Sequence, residues 1–282
     1  MKSISCKGNL LSLEIPVVMG ILNITPDSFF TGHLHESMSL ILDRVAAMVT
    51  SGAAIIDVGG QSTRPGSVRL DATAELSRVL PVIQAIHRHF PELIISIDTY
   101  HSEVAVEAIA QGASMVNDIS GGTMDHKMIA TVGSLRVPYV CMHIQGTPET
   151  MQKQPIYKDV TAEVIDFFVN KISECRQAGI NDIILDPGFG FGKTTEHNFT
   201  LLKELDLLAQ LGCPVLAGLS RKSMISKLLH VNAENALNGT TAANMIALMR
   251  GASILRVHDV NEAMQAIALY VETKNATPEE WH

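Results

Sequence analysis

Ile183-Ile184-Leu185-Asp186-Pro187-Gly188-Phe189-Gly190-Phe191-Gly192-Lys193 runs from an apolar stretch of strand type into a carboxylate and then a glycine-rich loop. A buried strand needs no charge at its tip, so Asp186 is there for something other than packing. Glycines at 188, 190 and 192 let backbone come close to whatever Asp186 holds. Gly192-Lys193-Thr194 also fits the close of a phosphate-binding G-x-x-x-x-G-K-[ST] loop. That pattern needs its first glycine at 187, which is Pro187, and the phosphate-loop reading is set aside.

Other apolar runs end the same way. Asn23, Asp57, Asp98, Asn117, His143, Asp186, Lys222 and Arg256 stand at their tips, with His258 just beyond the last. Any one of these could be a helix cap or a turn residue. Several of them on one rim, above otherwise apolar strands, weaken that explanation. Asp98 and Asp186 with the carboxamide of Asn117 match a heterocycle edge rich in N–H groups, such as an aminopyrimidinone. An ionised carboxylate takes two parallel N–H donors there. Lys222, Arg256, His258 and Arg64 are donors and cations suited to an anion such as a diphosphate. Asn23 adds one carbonyl oxygen, and Mg²⁺ often needs few protein ligands beside substrate phosphate and water. No nucleophile triad or zinc-ligand spacing is evident in the sequence. His87 and His89 fall on a helix without partners nearby and are expected to face solvent.

The elements that must position this rim repeat. Strands are expected at 17–23, 53–58, 93–98, 115–118, 139–143, 183–186, 214–219 and 254–257. Helices are expected near 37–50, 73–89, 102–111, 195–210, 223–229, 242–250 and 261–272. Leu40, Ile41, Val45 and Met48 recur at helical spacing, as do Val160, Val164, Phe168, Ile172 and Cys175 in a further amphipathic helix. Loops at 25–28 and 59–66 follow the first two strands. Eight short apolar strands alternating with helices predict an α/β fold, a single (β/α)8 TIM barrel in one domain spanning 1–282. A doubly wound open sheet is the alternative, and in either fold ligands meet the C-terminal ends of the strands.

Composition narrows the partners. Apolar residues make up 46% and charged residues 18%, enough to bury a large core without a disordered part. Lys and Arg number 21 against 29 Asp and Glu, and the net charge of −8 argues against nucleic acid or an anionic membrane. An anionic ligand must then be held by a few placed cations. The four cysteines are far apart with no C-x-x-C, which reads as buried thiols in a reducing cytosol. With no signal-peptide pattern and no long apolar run, a soluble cytoplasmic protein is expected.

Met19-Gly20-Ile21-Leu22-Asn23-Ile24-Thr25-Pro26-Asp27-Ser28-Phe29 resembles the first signature of dihydropteroate synthases, and Gly59-Gly60-Gln61-Ser62-Thr63-Arg64-Pro65-Gly66 resembles their second. Asp186 to Lys193, Ser220-Arg221-Lys222-Ser223 and Arg256-Val257-His258-Asp259 resemble later blocks, in family order. The resemblance implies a pterin-binding barrel enzyme of folate biosynthesis. It would join 4-aminobenzoate to 6-hydroxymethyl-7,8-dihydropterin diphosphate through a dissociative path. The implied pterin site is Asp98, Asn117, Asp186 and Lys222, with Met142 packing nearby. The implied diphosphate site is Asn23 with Mg²⁺, Arg64, Arg256 and His258. Thr63, Pro65, Phe191, Lys222 and Ser223 would meet the aminobenzoate, where sulfonamides compete in the family. Lys222, Arg256, Asp98 and Asp186 would carry the chemistry. A homodimer through the last helices is implied too, with Ala243, Ile246, Met249 and Ile267 as apolar positions that allow it.

Two positions depart from the family pattern. Thr31 stands where the first loop often has a second acid, and Gln61 where Glu is usual. Both put the geometry of loop closure in question. A pterin-dependent methyltransferase would share Asp98, Asn117 and Asp186 but has no need of Ser62 to Gly66 or the diphosphate cations. A non-catalytic pterin-binding protein would keep the pocket without needing Lys222, Arg256 and His258 together.

Overall fold

The computed structural model describes residues 3–24, 34–61, 69–151 and 155–276. The chain opens with an antiparallel hairpin, β1 (Ser3–Cys6) and β2 (Asn9–Ser12). Eight parallel strands follow: β3 (Val17–Asn23), β4 (Ala53–Gly59), β5 (Ile94–Asp98), β6 (Met115–Asp118), β7 (Tyr139–Met142), β8 (Ile183–Asp186), β9 (Leu216–Ala217) and β10 (Ile254–Val257). Their order is β8-β7-β6-β5-β4-β3-β10-β9. A parallel bridge between Leu185 and Val215 brings the first and last of these together, with Leu185 N donating to Pro214 O at 2.9 Å. The result is the expected (β/α)8 barrel.

The helices are α1 (Leu34–Thr50), α2 (Ala72–His89), α3 (Ser102–Ala110), α4 (Met128–Leu135), α5 (Val160–Gln177), α6 (Thr195–Lys203), α7 (Leu205–Ala209), α8 (Ser223–Leu229), α9 (Leu237–Met249) and α10 (Val260–Asn275). Several start where a side chain satisfies free backbone donors. Asp71 caps α2 by accepting from Ala74 N, Asp159 caps α5 by accepting from Thr161 N and Ala162 N, and Thr194 opens α6 with a reciprocal bond to His197.

Strand alternation explains how one lumen holds both a core and a site, because side chains two apart share a face. One residue of each barrel strand (Met19, Ile55, Ile94, Met115, Val140, Ile184, Leu216, Ile254) joins a single buried cluster at the N-terminal end. Ile4, Cys6 and Leu13 of the hairpin segment complete that cluster and plug this end. Two residues further along the same face come Asp57, Ser96, Asn117, Met142, Asp186, Gly218 and Arg256. The lumen therefore turns from apolar to polar within one strand repeat. The opposite faces, including Leu22, Ile56, Ile97, Val116 and Leu255, are buried under the helices.

Differences from the sequence expectations have local causes. The seventh barrel strand, expected over 214–219, is regular only at Leu216–Ala217, with Val215 in an isolated bridge before it, because Pro214 has no N–H and the chain turns where Lys222 N bonds Leu219 O. The helix expected over 195–210 breaks at Glu204, which leaves helical geometry (φ −108°, ψ 18°) and lets Leu201, Leu202, Leu205 and Leu208 all face the core. α4, for which the pattern gave no bounds, ends where Arg136 takes a left-handed conformation. Leu40 was counted in the apolar stripe of α1 but is exposed, whereas Ile41, Val45 and Met48 are buried. Of the apolar positions noted for a dimer contact, Ala243 and Ile267 are buried in the core, while Ile246 and Met249 are exposed, as is Leu269. Among the described residues no helix is long and apolar enough to cross a membrane.

The hairpin plug is testable. Ile4→Ala removes a side chain that is 1% exposed, from a cluster shared by all eight strands. A loss of about 2–5 kcal/mol is expected in urea denaturation. A loss under about 1 kcal/mol would mean that the hairpin is an appendage rather than a plug.

Candidate active site

Arg256, on β10, ties the polar half of the lumen together. Its Nε donates to Asp57 Oδ2 at 2.7 Å and its Nη2 to Asp98 Oδ2 at 2.6 Å. Asn117 Nδ2 donates to the same Asp57 oxygen at 2.9 Å, so β4, β5, β6 and β10 share one network. Asp57 is fully buried, and its Oδ1 has no hydrogen-bond partner among the described residues. Burial works against the Arg256 charge, but Asp57 and Asp98 more than offset it and raise its pKa. Burial lifts the Asp98 carboxyl to about 7, against the pull of Arg256. A carboxyl poised there changes charge readily when a donor or cation approaches.

Asn23 ends β3. A Cβ placed on Gly59 would lie 3.5 Å from Asp98 Oδ2 and 3.7 Å from Asn23 Oδ1, so both oxygens flank bare backbone. Among the described residues no three of His, Cys, Asp and Glu converge as a metal site. Asn23 offers one neutral oxygen, which fits a Mg²⁺ that would take most of its ligands from substrate phosphate and water.

Asp186, at the tip of β8, accepts from Gly188 N at 2.7 Å. Burial pushes its pKa up, against that bond and the charges of Lys222, Arg256 and Lys193. The loop after it is tied at nearly every residue. Gly190 N donates to Asn198 Oδ1 at 2.7 Å, Tyr157 Oη donates to Gly192 O at 2.8 Å, and Phe191 N donates to Gly188 O at 3.0 Å. Gly188 and Gly192 take φ of +69° and +62°, and a Cβ on either would collide with the His143 or Gln145 carbonyl oxygen. Lys193 Nζ is buried inside this loop, and burial brings its pKa down to about 7.

Lys222 precedes α8. Its Nζ donates to Phe189 O and sits 4.2 Å from the Phe191 ring centroid. Burial lowers its pKa to about 8, against the pull of Asp186. Ser223 is exposed at the first position of α8. Phe191 and Met142 pack with Tyr100, Ile119 and Met151 in a small apolar cluster at the mouth, apart from the main core. His258 Nδ1 lies 3.0 Å from Ser220 Oγ, which also accepts from His258 N at 3.2 Å. The adjoining Arg221 makes a two-pronged ion pair with Asp259, at 3.0 and 2.6 Å.

The structure thus brings Asn23, Asp98, Asn117, Asp186, Lys222 and Arg256 to one mouth, with Met142, Phe191 and His258 beside them. Thr63, Arg64 and Pro65 lie outside the described residues, as do Thr31 and the loop at 25–28. Two expectations need correction. His258 was read as a cation, but burial and then Arg256 and Arg221 lower its pKa to about 4, leaving it neutral at pH 7. His143 was placed on the rim but is buried, turned toward Lys193 at 2.9 Å. Arg256, expected to meet an anion, is here paired with the carboxylates of Asp57 and Asp98. His87 and His89 are exposed as expected. Sequence reasoning gave no role to Asp57 beyond the rim, and none to Ser220 or Lys193. Asp57 and Ser220 find their partners on strands or loops distant in sequence, and Lys193 joins two carbonyls of its own loop to the distant His143.

Residues 19–258 match the family model described as "Pterin binding enzyme". The dihydropteroate synthase of Escherichia coli strain K12 is 44% identical over 272 residues, covering 96% of this chain and 96% of that protein. The chain belongs to the dihydropteroate synthase family. Solved structures agree. The Yersinia pestis dihydropteroate synthase in complex with a sulfonamide drug superposes with a TM-score of 0.91 at 40% identity, covering 98% of this chain and 100% of that one. The Xanthomonas albilineans dihydropteroate synthase with 4-aminobenzoic acid gives 0.90 at 40%, covering 98% and 99%. Membership makes the chain a transferase, and the dihydropteroate synthase likeness covers nearly the whole chain.

Behind the mouth, Gln61 donates from Nε2 to Tyr100 Oη. Nearby, Glu75 is 1% exposed and accepts from Thr99 Oγ1 at 3.1 Å, with no partner on Oε1 among the described residues. Burial raises its pKa to about 8. A carboxyl raised on folding adds stability that is full below the unfolded value and lost as pH rises toward 8. Glu75→Gln keeps an oxygen for Thr99 and removes the titration. It is expected to melt higher than the parent at pH 9 and close to it near pH 4. A melting difference that is constant with pH would overturn this assignment.

Proposed function

We propose that the chain condenses 6-hydroxymethyl-7,8-dihydropterin diphosphate with 4-aminobenzoate, giving 7,8-dihydropteroate and pyrophosphate. The observation that carries this reading is that one mouth holds both kinds of group. Asp98, Asn117 and Asp186 supply acceptors and an amide, and Lys222, Arg256 and the pair Ser220–His258 supply cations and donors beside them, with Arg256 bonded to Asp98 at 2.6 Å. Asp98, Asn117 and Asp186 would take the N–H edge of the pterin, with Met142 against the ring and Lys222 on its polar atoms. Asn23, Arg64, Arg256 and His258 would meet the diphosphate. Thr63, Pro65, Phe191, Lys222 and Ser223 would meet the aminobenzoate.

The reaction breaks the bond between the pterin methylene carbon and the diphosphate oxygen, and the amine nitrogen forms a new bond to that carbon. The positive charge that develops on the methylene spreads into the electron-rich dihydropterin. The carboxylates of Asp98 and Asp186 stabilise that cationic ring in a setting of low dielectric. Arg256 and Lys222 stabilise the departing oxygens. The neutral amine of aminobenzoate attacks, and the new C–N nitrogen then gives one proton to water. No covalent enzyme intermediate is required. Mg²⁺, held by Asn23 and the diphosphate oxygens, would neutralise charge on the leaving group. His258, neutral at rest, would donate a hydrogen bond, and an approaching diphosphate would raise its pKa. We also place the chain in the cytoplasm, as a homodimer that uses the exposed Ile246, Met249 and Leu269 of α9 and α10.

Pyrophosphate release tests the reaction. Release that requires 4-aminobenzoate and Mg²⁺ and is blocked by a sulfonamide is expected; tight pterin binding without release would leave a binding protein. Asp186→Asn tests the site by calorimetry with a pterin ligand. Loss of a buried charge-assisted pair is expected to weaken binding by about 2–5 kcal/mol. The variant should also lose some thermal stability, because Asp186 anchors Gly188 N. Unchanged pterin affinity would reduce Asp186 to a loop cap.

A further inference from the structure

We propose that Lys193 is a positioning residue for the aminobenzoate half of the site, an internal cation that staples the loop after β8 to the end of β7. Its side chain is buried, and its Nζ lies 3.0 Å from Phe191 O, 3.1 Å from Gly188 O, 3.3 Å from His143 O and 2.9 Å from His143 Nδ1. Four acceptors surround three protons, and no carboxylate is among them. Three carbonyl oxygens turned toward one interior point repel each other unless a cation sits between them. Burial makes the ammonium costly and brings its pKa to about 7, and the carbonyl oxygens of Gly188, Phe191 and His143 are what favour its charged form.

What it holds is the backbone that carries Phe191 and the acceptor of Lys222. Phe191 O is bonded to Lys193 on one side of the loop, while the Phe191 ring receives Lys222 Nζ on the other. Lys222 Nζ also donates to Phe189 O, in the same five-residue turn. The far wall is already fixed, because Gly188 and Gly192 touch the carbonyls of His143 and Gln145 and could carry no side chain there. Asn198 and Tyr157 hold Gly190 and Gly192 from outside. Lys193 is the contact that draws the inner carbonyls together. Asp98 and Asn117 stand on β5 and β6, and neither bonds this loop.

The inference rests on the proposed reaction, in which Phe191 and Lys222 face aminobenzoate. Lys193→Met keeps the length of the side chain and removes the cation. Its KM for 4-aminobenzoate is expected to rise by about ten-fold or more, since displacement of about 1 Å can cost that much. Its Kd for dihydropterin diphosphate with Mg²⁺ should change much less. An unchanged KM in the folded variant would overturn the proposal, and so would equal losses for both substrates, which mark a general loosening. Should Lys193→Met fail to fold, His143→Leu decides. It removes one acceptor, Nδ1, and should shift the aminobenzoate KM in the same direction by less; no shift would overturn the staple. The parental protein run alongside separates the two questions. If it releases no pyrophosphate, the reaction itself is wrong. If it turns over normally while both variants match it, only the role of Lys193 is wrong.

Discussion

Asp57 is fully buried in the barrel lumen, where a lone carboxylate costs several kcal/mol. Arg256 meets it from a strand 199 residues away in sequence, and its other arm reaches Asp98. Much else in the mouth follows from that fork. Asn117 is oriented because its amide shares the Asp57 oxygen that Arg256 uses. Asp98 stays poised near 7 because burial and the guanidinium act on it in opposite directions. In the proposed reaction the substrate offers both halves of this network a new partner, N–H donors for the carboxylate and an anion for the guanidinium. Recognition would then be an exchange of partners among groups already in place, which keeps the cost of reorganisation low.

The lumen can hold such a network because only half of it is polar. Below Asp57, Asn117, Asp186 and Arg256 on their own strands lie Ile55, Met115, Ile184 and Ile254, sealed from beneath by Ile4, Cys6 and Leu13. The apolar layer and the hairpin supply burial that the polar layer does not. They also exclude water from beneath the charges, which strengthens each interaction above them. The division follows from strand geometry, because a step of two residues keeps the face and changes the layer.

Much of this was legible in the sequence. Apolar runs with polar tips gave the barrel, the rim and its division into acceptors and cations. The rest was hidden where partners are distant or where the partner is backbone. Nothing near Asp57 in sequence shows that Arg256 and Asn117 converge on one of its oxygens. Lys193 looked like the end of a failed phosphate loop, because the His143 carbonyl it joins to those of Gly188 and Phe191 comes alongside only after β7 and β8 pair. His258 looked cationic because burial and the charges of Arg256 and Arg221 do not appear in a string of letters. Ala243 and Ile267 looked available for a partner because an apolar helical stripe does not say which side the barrel takes.

These hidden contacts share one property. Asp57, Ser220 and Lys193 each act on a residue that would touch substrate, and each is itself buried. A buried polar group persists only where its partners are fixed, so such residues mark the places where the scaffold specifies geometry rather than supplying chemistry. The glycine loop shows why both kinds are needed. Its left-handed turns at 188, 190 and 192 allow the backbone to pass within contact of β7, and that freedom alone would leave Phe191 undefined. The bonds from Asp186, Asn198, Tyr157 and Lys193 remove the freedom again. A flexible sequence thus becomes a rigid turn, because its backbone groups are claimed by side chains from β8, α6 and the segments on either side.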